Sequence, residues 1–248
     1  MLVVEILLLV GLIVFITHTV EAVTGFGCTV LAFPFVIALM GDLEQAKIVL
    51  TALAWVLVFY FVVTKFKHIQ WKKFRTTLLL SVLGMPAGML LFKSLDAGML
   101  KMILGVFIVI SAAIQLYKSF VPVAGTARLP KLIGYTFLFA GGIFHGAFAV
   151  GGPLIVLYST RKIPDKGQFR ATMCLLWLCL NTVLIFQYII ERKLTFTIGC
   201  EFLFLLPFLV AGIFAGEAIH NKVSEILFKK IVFSILLLVG IIMVIWNK

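Results

Sequence analysis

The chain has 248 residues, of which 63% are hydrophobic, and its mean hydropathy is +1.20. Soluble domains are nearer half apolar, so this composition excludes an ordinary soluble protein and indicates an all-α protein that crosses a membrane several times. The net charge of +11 would suggest a nucleic-acid partner in a soluble protein. In a membrane protein, basic residues in cytoplasmic loops explain the same charge, so we expect no nucleic-acid partner.

Ten apolar segments follow one another along the chain. They are predicted to be helical at 2–22, 27–41, 46–64, 76–92, 100–118, 132–149, 152–160, 168–190, 195–219 and 231–247. The second segment is short and contains Pro34, and the seventh falls well below the roughly 20 apolar residues that a spanning helix needs. Each of these two follows a glycine break with no charged loop before it. The pattern therefore predicts two re-entrant or discontinuous hairpins whose glycine-rich tips lie inside the membrane.

The distribution of basic residues favours this arrangement over the alternative of eight continuous spans. If each broken pair enters and leaves on the same side, the 21 lysine and arginine residues divide 6 to 15 between the two sides. If each pair is one continuous crossing, they divide 11 to 10, which carries no orientation signal. Because cytoplasmic loops hold the excess of basic residues, we expect the 65–75 and 161–170 loops inside and both termini outside. The 65–75 loop is also suited to contact anionic membrane lipid.

The two halves of the sequence resemble each other. Residues 18–25 read His-Thr-Val-Glu-Ala-Val-Thr-Gly and match residues 145–152, His-Gly-Ala-Phe-Ala-Val-Gly-Gly, with four of the eight pairs identical. Further on, an Asp, a Gln, a basic residue and a Pro recur in the same order: Asp42, Gln45, Lys47 and Pro86 against Asp165, Gln168, Arg170 and Pro207. We expect an N-terminal repeat at 1–118, a linker at 119–131 and a C-terminal repeat at 132–248. Five elements per repeat is an odd number, so the second repeat must be inverted, as in many secondary transporters.

The two glycine breaks carry the main candidate binding site. Glycine tolerates backbone angles that other residues do not, and proline suits the first turn of a new helix. An unwound tip leaves backbone N–H groups free, and the N-terminus of a helix attracts anions. We expect the two tips to meet near mid-membrane and to bind an anion through Thr24, Gly25, Phe26, Gly27, His145, Gly151, Gly152 and Pro153. The alternative is that these glycines only allow helices to pack closely.

Two histidines and a glutamate precede the tips. His18 and His145 each lie seven residues before their tip, and Glu21 lies within side-chain reach of His18 on one helix face. Ionisable groups inside a membrane are costly and usually functional. Because histidine titrates near neutral pH, His18 and Glu21 are predicted to carry the coupling proton. The alternative is a neutral histidine bonded to a backbone carbonyl.

A basic residue lies near the start of the helix that follows each hairpin. Lys47 and Arg170, with Gln45 and Gln168 beside them, are predicted to attract and bind the anion. The alternative is that the two basic side chains extend to the membrane interface. Asn181 is the most central polar residue of the later segments, and a hydrogen bond between helices is the simplest role for it.

The sequence offers little for enzymatic chemistry. It has no phosphate-binding loop and no zinc-protease pattern, and its four cysteines form no close pair. We therefore expect no catalytic residue, no metal site and no cofactor. The expected partners are a small anionic substrate and a proton or a sodium ion as the coupling ion.

The break motifs resemble those of the TauE/SafE sulfite-exporter family. The matching residues are Gly25-Phe26-Gly27 and Phe33-Pro34 in the first half, and Gly146 and Gly151-Gly152-Pro153 in the second. The resemblance covers the whole chain and implies two related halves in a bacterial inner membrane. It also implies that the protein exports sulfite, sulfonates or related small organic anions. We therefore expect a secondary transporter and no enzyme; an uncoupled anion channel and an integral-membrane enzyme are the alternatives.

Overall fold

The computed structural model describes residues 2–120 and 130–219, together with 233–234, 237–238, 240–242 and 244–245. Over residues 2–120 and 130–219 it contains one short 3-10 helix, Phe66–His68, and nine α-helices: α1 Leu2–Thr24, α2 Cys28–Met40, α3 Leu43–Lys65, α4 Trp71–Ser94, α5 Ala97–Phe120, α6 Lys131–Phe148, α7 Gly152–Ser159, α8 Lys166–Ile190 and α9 Phe196–Ile219. No described residue lies in a strand, so the all-α prediction is confirmed. About half of the tenth predicted segment, 231–247, and most of the predicted linker, 119–131, lie outside the described residues.

Six of the described helices are long and apolar enough to cross a membrane: α1, α3, α4, α5, α8 and α9. α2 and α7 contain only 13 and 8 residues, as their short apolar segments predict. The faces of the long helices differ in exposure. On α4, for example, Leu79, Leu83 and Leu90 are each 65% exposed, whereas Ser81 and Gly88 on another face are buried. An apolar face of this kind is stable against lipid and not against water.

Polar residues extend several helices beyond the predicted apolar segments. α3 begins three residues early because the Asp42 side chain caps it, accepting hydrogen bonds from the backbone N–H groups of Glu44 (2.8 Å) and Gln45 (3.0 Å). Asp165 caps α8 in the same way through the N–H of Gln168 (2.8 Å). Hydropathy marks only the apolar part of a helix, whereas a cap fixes its first residue. The two matching aspartates therefore have the same local role.

Helices from the two halves pack against each other in matching pairs. α1 packs along α9 and α4 packs along α6, in both cases through small residues. Gly84 and Gly88 lie against the α6 backbone, and Gly212 and Gly216 lie against the α1 backbone, so a β-carbon at these positions would clash or be crowded. Close approach through small residues is the usual way in which membrane helices associate.

α3 and α8 form the centre of the molecule and run antiparallel. At one end Lys193, just after α8, bonds to Glu44 at the start of α3 (2.9 Å). At the other end the backbone N–H of Gln70, just after α3 and the 3-10 helix, donates to the Thr172 hydroxyl near the start of α8 (3.0 Å). Trp55 and Thr182 join the two helices midway, with the indole N–H donating to the hydroxyl (2.9 Å). Five buried polar residues of the described part of the chain lie on this pair: Lys47, Thr51, Arg170, Thr172 and Asn181.

Each short helix turns back along the long helix that precedes it. α7 runs antiparallel to α6: Gly134 near the start of α6 faces the ring of Tyr158 at the end of α7, and Gly141 faces Ile155. α2 likewise packs along α1. At the second break the chain therefore makes a helical hairpin, and at the first break it joins two helices that pack on each other.

Candidate functional site

The first break, Gly25 to Gly27, requires glycine at both ends. Gly25 has φ +84° and Gly27 has φ +110°, in the left-handed region that side chains disfavour. The Gly25 N–H still donates to the Glu21 carbonyl (2.7 Å), which ends α1. A β-carbon on Gly25 would come 2.9 Å from the Arg170 Cα atom, so α8 packs directly on this break.

The second break uses its residues differently from the sequence prediction. The left-handed residue is Ala149, with φ +57°, whose N–H donates to the His145 carbonyl (2.7 Å) at the end of α6. Gly151 has φ −73° and is needed for space, because a β-carbon there would clash with the Gly141 carbonyl oxygen. Gly152 is the first residue of α7, and Pro153 lies in the first turn, as a proline should.

A small cavity of about 30 Å³ lies between the two breaks. It is lined by residues of α1, both breaks, and helices α2, α3, α6, α7 and α8: Glu21, Gly27, Thr29, Val30, Ala54, His145, Ala149, Val150, Gly152, Trp177 and Asn181. The breaks approach each other at one edge, where a β-carbon on Gly152 would lie 3.9 Å from the ring of Phe26. The structure thus brings together four of the residues predicted from the sequence, namely Glu21, Gly27, His145 and Gly152.

Glu21 occupies the N-terminus of α2. Its Oε2 atom accepts a hydrogen bond from the backbone N–H of Cys28, the first residue of α2, at 2.7 Å, and the side chain is buried. The predicted anion position at the first break is therefore already filled by a carboxylate of the chain itself. At the second break the repeat places Phe148 where Glu21 stands, and no side chain caps α7. The two breaks differ in this respect: the Glu21 carboxylate accepts from the first N–H of α2, whereas the residue before α7 is a glycine, which has no capping side chain.

α8 joins the two breaks through two residues one helical turn apart. The indole N–H of Trp177 donates to the Gly25 carbonyl (3.0 Å) at the first break, and its ring stacks on His145 with centroids 5.8 Å apart. The Asn181 Oδ1 atom pairs with His145 Nε2 (3.1 Å) on the hairpin of the second break. The sequence reasoning missed Trp177, although its spacing of four residues from Asn181 places both on one helix face.

Lys47 and Arg170 are both buried inside the protein. They are 2% and 5% exposed. The Lys47 Nζ atom donates to the Gly146 carbonyl (3.0 Å), one residue after His145. The Arg170 guanidinium lies over the ring of Phe61 and 3.8 Å from the Glu217 carboxylate. Neither residue lines the cavity; each packs against the hairpin of the opposite half.

The other predicted residues lie apart from the cavity. His18 Nδ1 donates to the Val14 carbonyl (2.8 Å), which is the role that the alternative for the histidines describes. The structure shows no hydrogen bond between His18 and Glu21. The Gln45 amide donates to Glu201, whereas Gln168 contributes its backbone N–H to the Asp165 cap. Thr24 and Phe26 line a separate cavity beyond the first break.

Two larger cavities flank the central one at opposite ends of the α3–α8 pair. One, of about 240 Å³, lies near the 160–166 loop and is lined in part by Thr24, Phe26 and Lys166. The other, of about 490 Å³, is lined in part by Glu44, Phe92, Lys93 and Lys193. The small central cavity lies between these two larger cavities.

The arrangement can be compared with known proteins. Within the described residues no group of three or more His, Cys, Asp or Glu side chains is placed to hold a metal ion. No curated protein and no solved structure matches the chain. The family model of the sulfite exporter TauE/SafE matches residues 9–243, nearly the whole chain. With six helices long enough to cross a membrane, the chain is a multi-pass membrane protein that belongs to the TauE/SafE sulfite exporter family, whose members are typically inner-membrane transporters.

Proposed function

We propose that the chain is a secondary transporter that exports sulfite, a sulfonate or a related small organosulfur anion. The observation that carries this proposal is the buried cavity between the two breaks, which is lined by backbone from both halves and by polar side chains. Irregular backbone inside a membrane is stable only beside a cavity or other protein, and transporters use such helix breaks to bind their substrates.

The second break is the better anion site of the two. α7 has no capping side chain, so the N–H groups and the positive dipole end of its first turn remain available to an anion. Asn181 and Thr29 add donors from the cavity wall. The Asn181 amide oxygen pairs with His145, and its amide N–H groups are the donors that it offers to the anion. At the first break, Glu21 fills the corresponding position.

The small central cavity favours a gated transporter over an open pore. At about 30 Å³ it has room for a water molecule or two but not for a sulfonate, so the two halves must separate before the substrate can bind. The flanking cavities at the two ends are the natural entry and exit. The matching pairs α1–α9 and α4–α6, and the matching caps at Asp42 and Asp165, support two inverted repeats that rock against each other.

Glu21 supports coupling to protons. An ionised carboxylate and an anionic substrate in one cavity repel each other by about 3 kcal/mol at roughly 5 Å and an effective dielectric constant of about 20. A proton on Glu21 would remove this repulsion, so the anion and a proton would occupy the cavity together. His18 takes no direct part in this exchange, because its ring is bonded within α1 and lies outside the cavity lining.

Flux measurements with purified protein in liposomes test the proposal. Sulfite, sulfoacetate and taurine should be offered separately, with sulfate as a control oxyanion and protein-free liposomes as the baseline. We expect protein-dependent flux of at least one of the three sulfur compounds, stimulated by a proton gradient. Flux at the protein-free level for all three would contradict the proposed function.

A further inference from the structure

Lys47 is a buried cation without a carboxylate partner. It is 2% exposed, and none of the described carboxylates lies within ion-pair distance of its Nζ atom. The carboxylates that act on it electrostatically, Glu44 and Glu191, are paired with Lys193 (2.9 Å) and Lys93 (2.8 Å). Its counterpart Arg170, by contrast, has the Glu217 carboxylate 3.8 Å away.

The neighbours of Lys47 leave hydrogen-bonding capacity unused. Its ammonium group has three N–H donors, and one of them bonds to the Gly146 carbonyl. The Nζ atom lies 4.0 Å from the ring centroid of Phe92 and 5.7 Å from that of Tyr188. Tyr188 is 3% exposed, and its hydroxyl lies near the Thr51 hydroxyl but makes no hydrogen bond of good geometry to any described residue. The nearby Thr51 hydroxyl donates instead to the Lys47 carbonyl.

A buried cation without a counter-charge, beside a buried hydroxyl without a well-formed hydrogen bond, is an unfavourable arrangement for a purely structural site. A buried polar group without a hydrogen bond costs about 1–3 kcal/mol, and a buried charge without a counter-charge costs more. A small oxyanion would satisfy both groups, because its oxygens accept from the ammonium and from the phenol O–H.

Lys47 also lies between two of the cavities. Its carbonyl partner Gly146 follows His145, which lines the central cavity. The Lys47 Nζ atom lies over the ring of Phe92, and Phe92 lines the cavity that is also lined by Lys93 and Lys193. An anion that moves between the central cavity and this opening passes Lys47.

We propose that Lys47 and Tyr188 form a second site for the transported oxyanion, separate from the site at the second break. This inference rests on the proposed function, because it assumes that a small anion enters the central cavity. The second site holds the anion during its passage between the central cavity and the opening at Lys93 and Lys193.

Equilibrium binding and flux of radiolabelled sulfite test the second site. At saturation we expect wild-type protein to bind two sulfite ions per chain. Tyr188→Phe should bind one, and its flux should fall about tenfold, the effect of losing one hydrogen bond to a charged ligand. Its melting temperature should be unchanged or higher, because the variant removes an unsatisfied hydroxyl.

Lys47→Gln should show the same loss, and Lys47→Arg should recover part of it. Tyr135→Phe, at a partly exposed position on α6, is the matched control.

The outcomes separate the two proposals. If sulfite is not transported and binds to neither the wild-type protein nor the variants, both the proposed function and the second site are wrong. A different result would refute the second site alone. In that case the wild-type protein, Tyr188→Phe and Lys47→Gln would all transport sulfite equally well, and each would bind one sulfite ion per chain. Gly152→Ala should leave binding at Lys47 intact, which distinguishes the second site from the central one.

Discussion

Adding one methyl group at Gly152 should block the central site without disturbing the fold. A β-carbon on Gly152 would contact only Phe26, at 3.9 Å, which is an ordinary van der Waals distance. The residue opens α7 with no left-handed backbone angle, so alanine is compatible with its conformation. Replacing a helical glycine by alanine at a compatible position stabilises a protein by about 0.4–1 kcal/mol. We therefore expect Gly152→Ala to melt at the wild-type temperature or slightly above it.

The methyl group should nevertheless weaken substrate binding. Gly152 lines a cavity of only about 30 Å³, at the helix start where the anion is proposed to bind. Overfilling a tightly packed site costs about 1–3 kcal/mol, which corresponds to a loss of affinity of roughly fivefold to 150-fold. Sulfite flux into liposomes, measured over a range of concentrations, should show this as a higher half-saturating concentration.

The neighbouring glycine provides the matched control. A β-carbon on Gly151 would clash with the Gly141 carbonyl oxygen and crowd the His145 side chain, so Gly151→Ala should lower the melting temperature. The same substitution one residue apart thus separates loss of the site from loss of the fold. A stable Gly152→Ala protein with wild-type affinity for sulfite would refute the location of the anion at the second break.

Three further predictions concern topology, coupling and one ion pair. In a cysteine-free background, a membrane-impermeant thiol reagent added to intact cells should label a cysteine at Arg192 and not one at Lys67; the reverse result would invert the assigned orientation. Glu21→Gln should keep sulfite transport but lose its dependence on pH, and an unchanged pH profile would leave Glu21 with only its structural bond to α2. Partial burial acts to raise the pKa of Glu191, but hydrogen bonds from Lys93 and Gln187 outweigh it, so this pKa lies below its ordinary value. The stabilisation from this pair is therefore present at neutral pH and is lost as the pH falls through the lowered pKa. Because the pair is partly exposed, Glu191→Gln should reduce the free energy of unfolding by only about 0.2–1 kcal/mol, and a larger loss in thermal melts at neutral pH would contradict this view.

Local sequence determined the helices, their breaks and two of their caps. The length of each apolar run limits what can cross a membrane, so the short α2 and α7 were predictable from their 13 and 8 residues. Glycine at positions 25 and 27 predicted an interrupted helix, because few other residues adopt φ values of +84° and +110°. Asp42 and Asp165 begin α3 and α8 through bonds to residues two or three positions further on. All of these are interactions within a few residues of the chain.

Only the tertiary structure decided which side chains share the central cavity. The three-residue spacing of His18 and Glu21 suggested a pair, yet His18 bonds to Val14 within its own helix and Glu21 reaches forward to Cys28. Trp177 touches Gly25 across 152 positions of sequence, a contact that no local pattern predicts. Lys47 and Arg170 occupy matching positions, but Glu217 lies beside Arg170, and none of the carboxylates in the described part of the chain pairs with Lys47. The physical reason is that spacing along a helix fixes only the direction of a side chain, whereas the group it meets there depends on how helices from opposite halves pack.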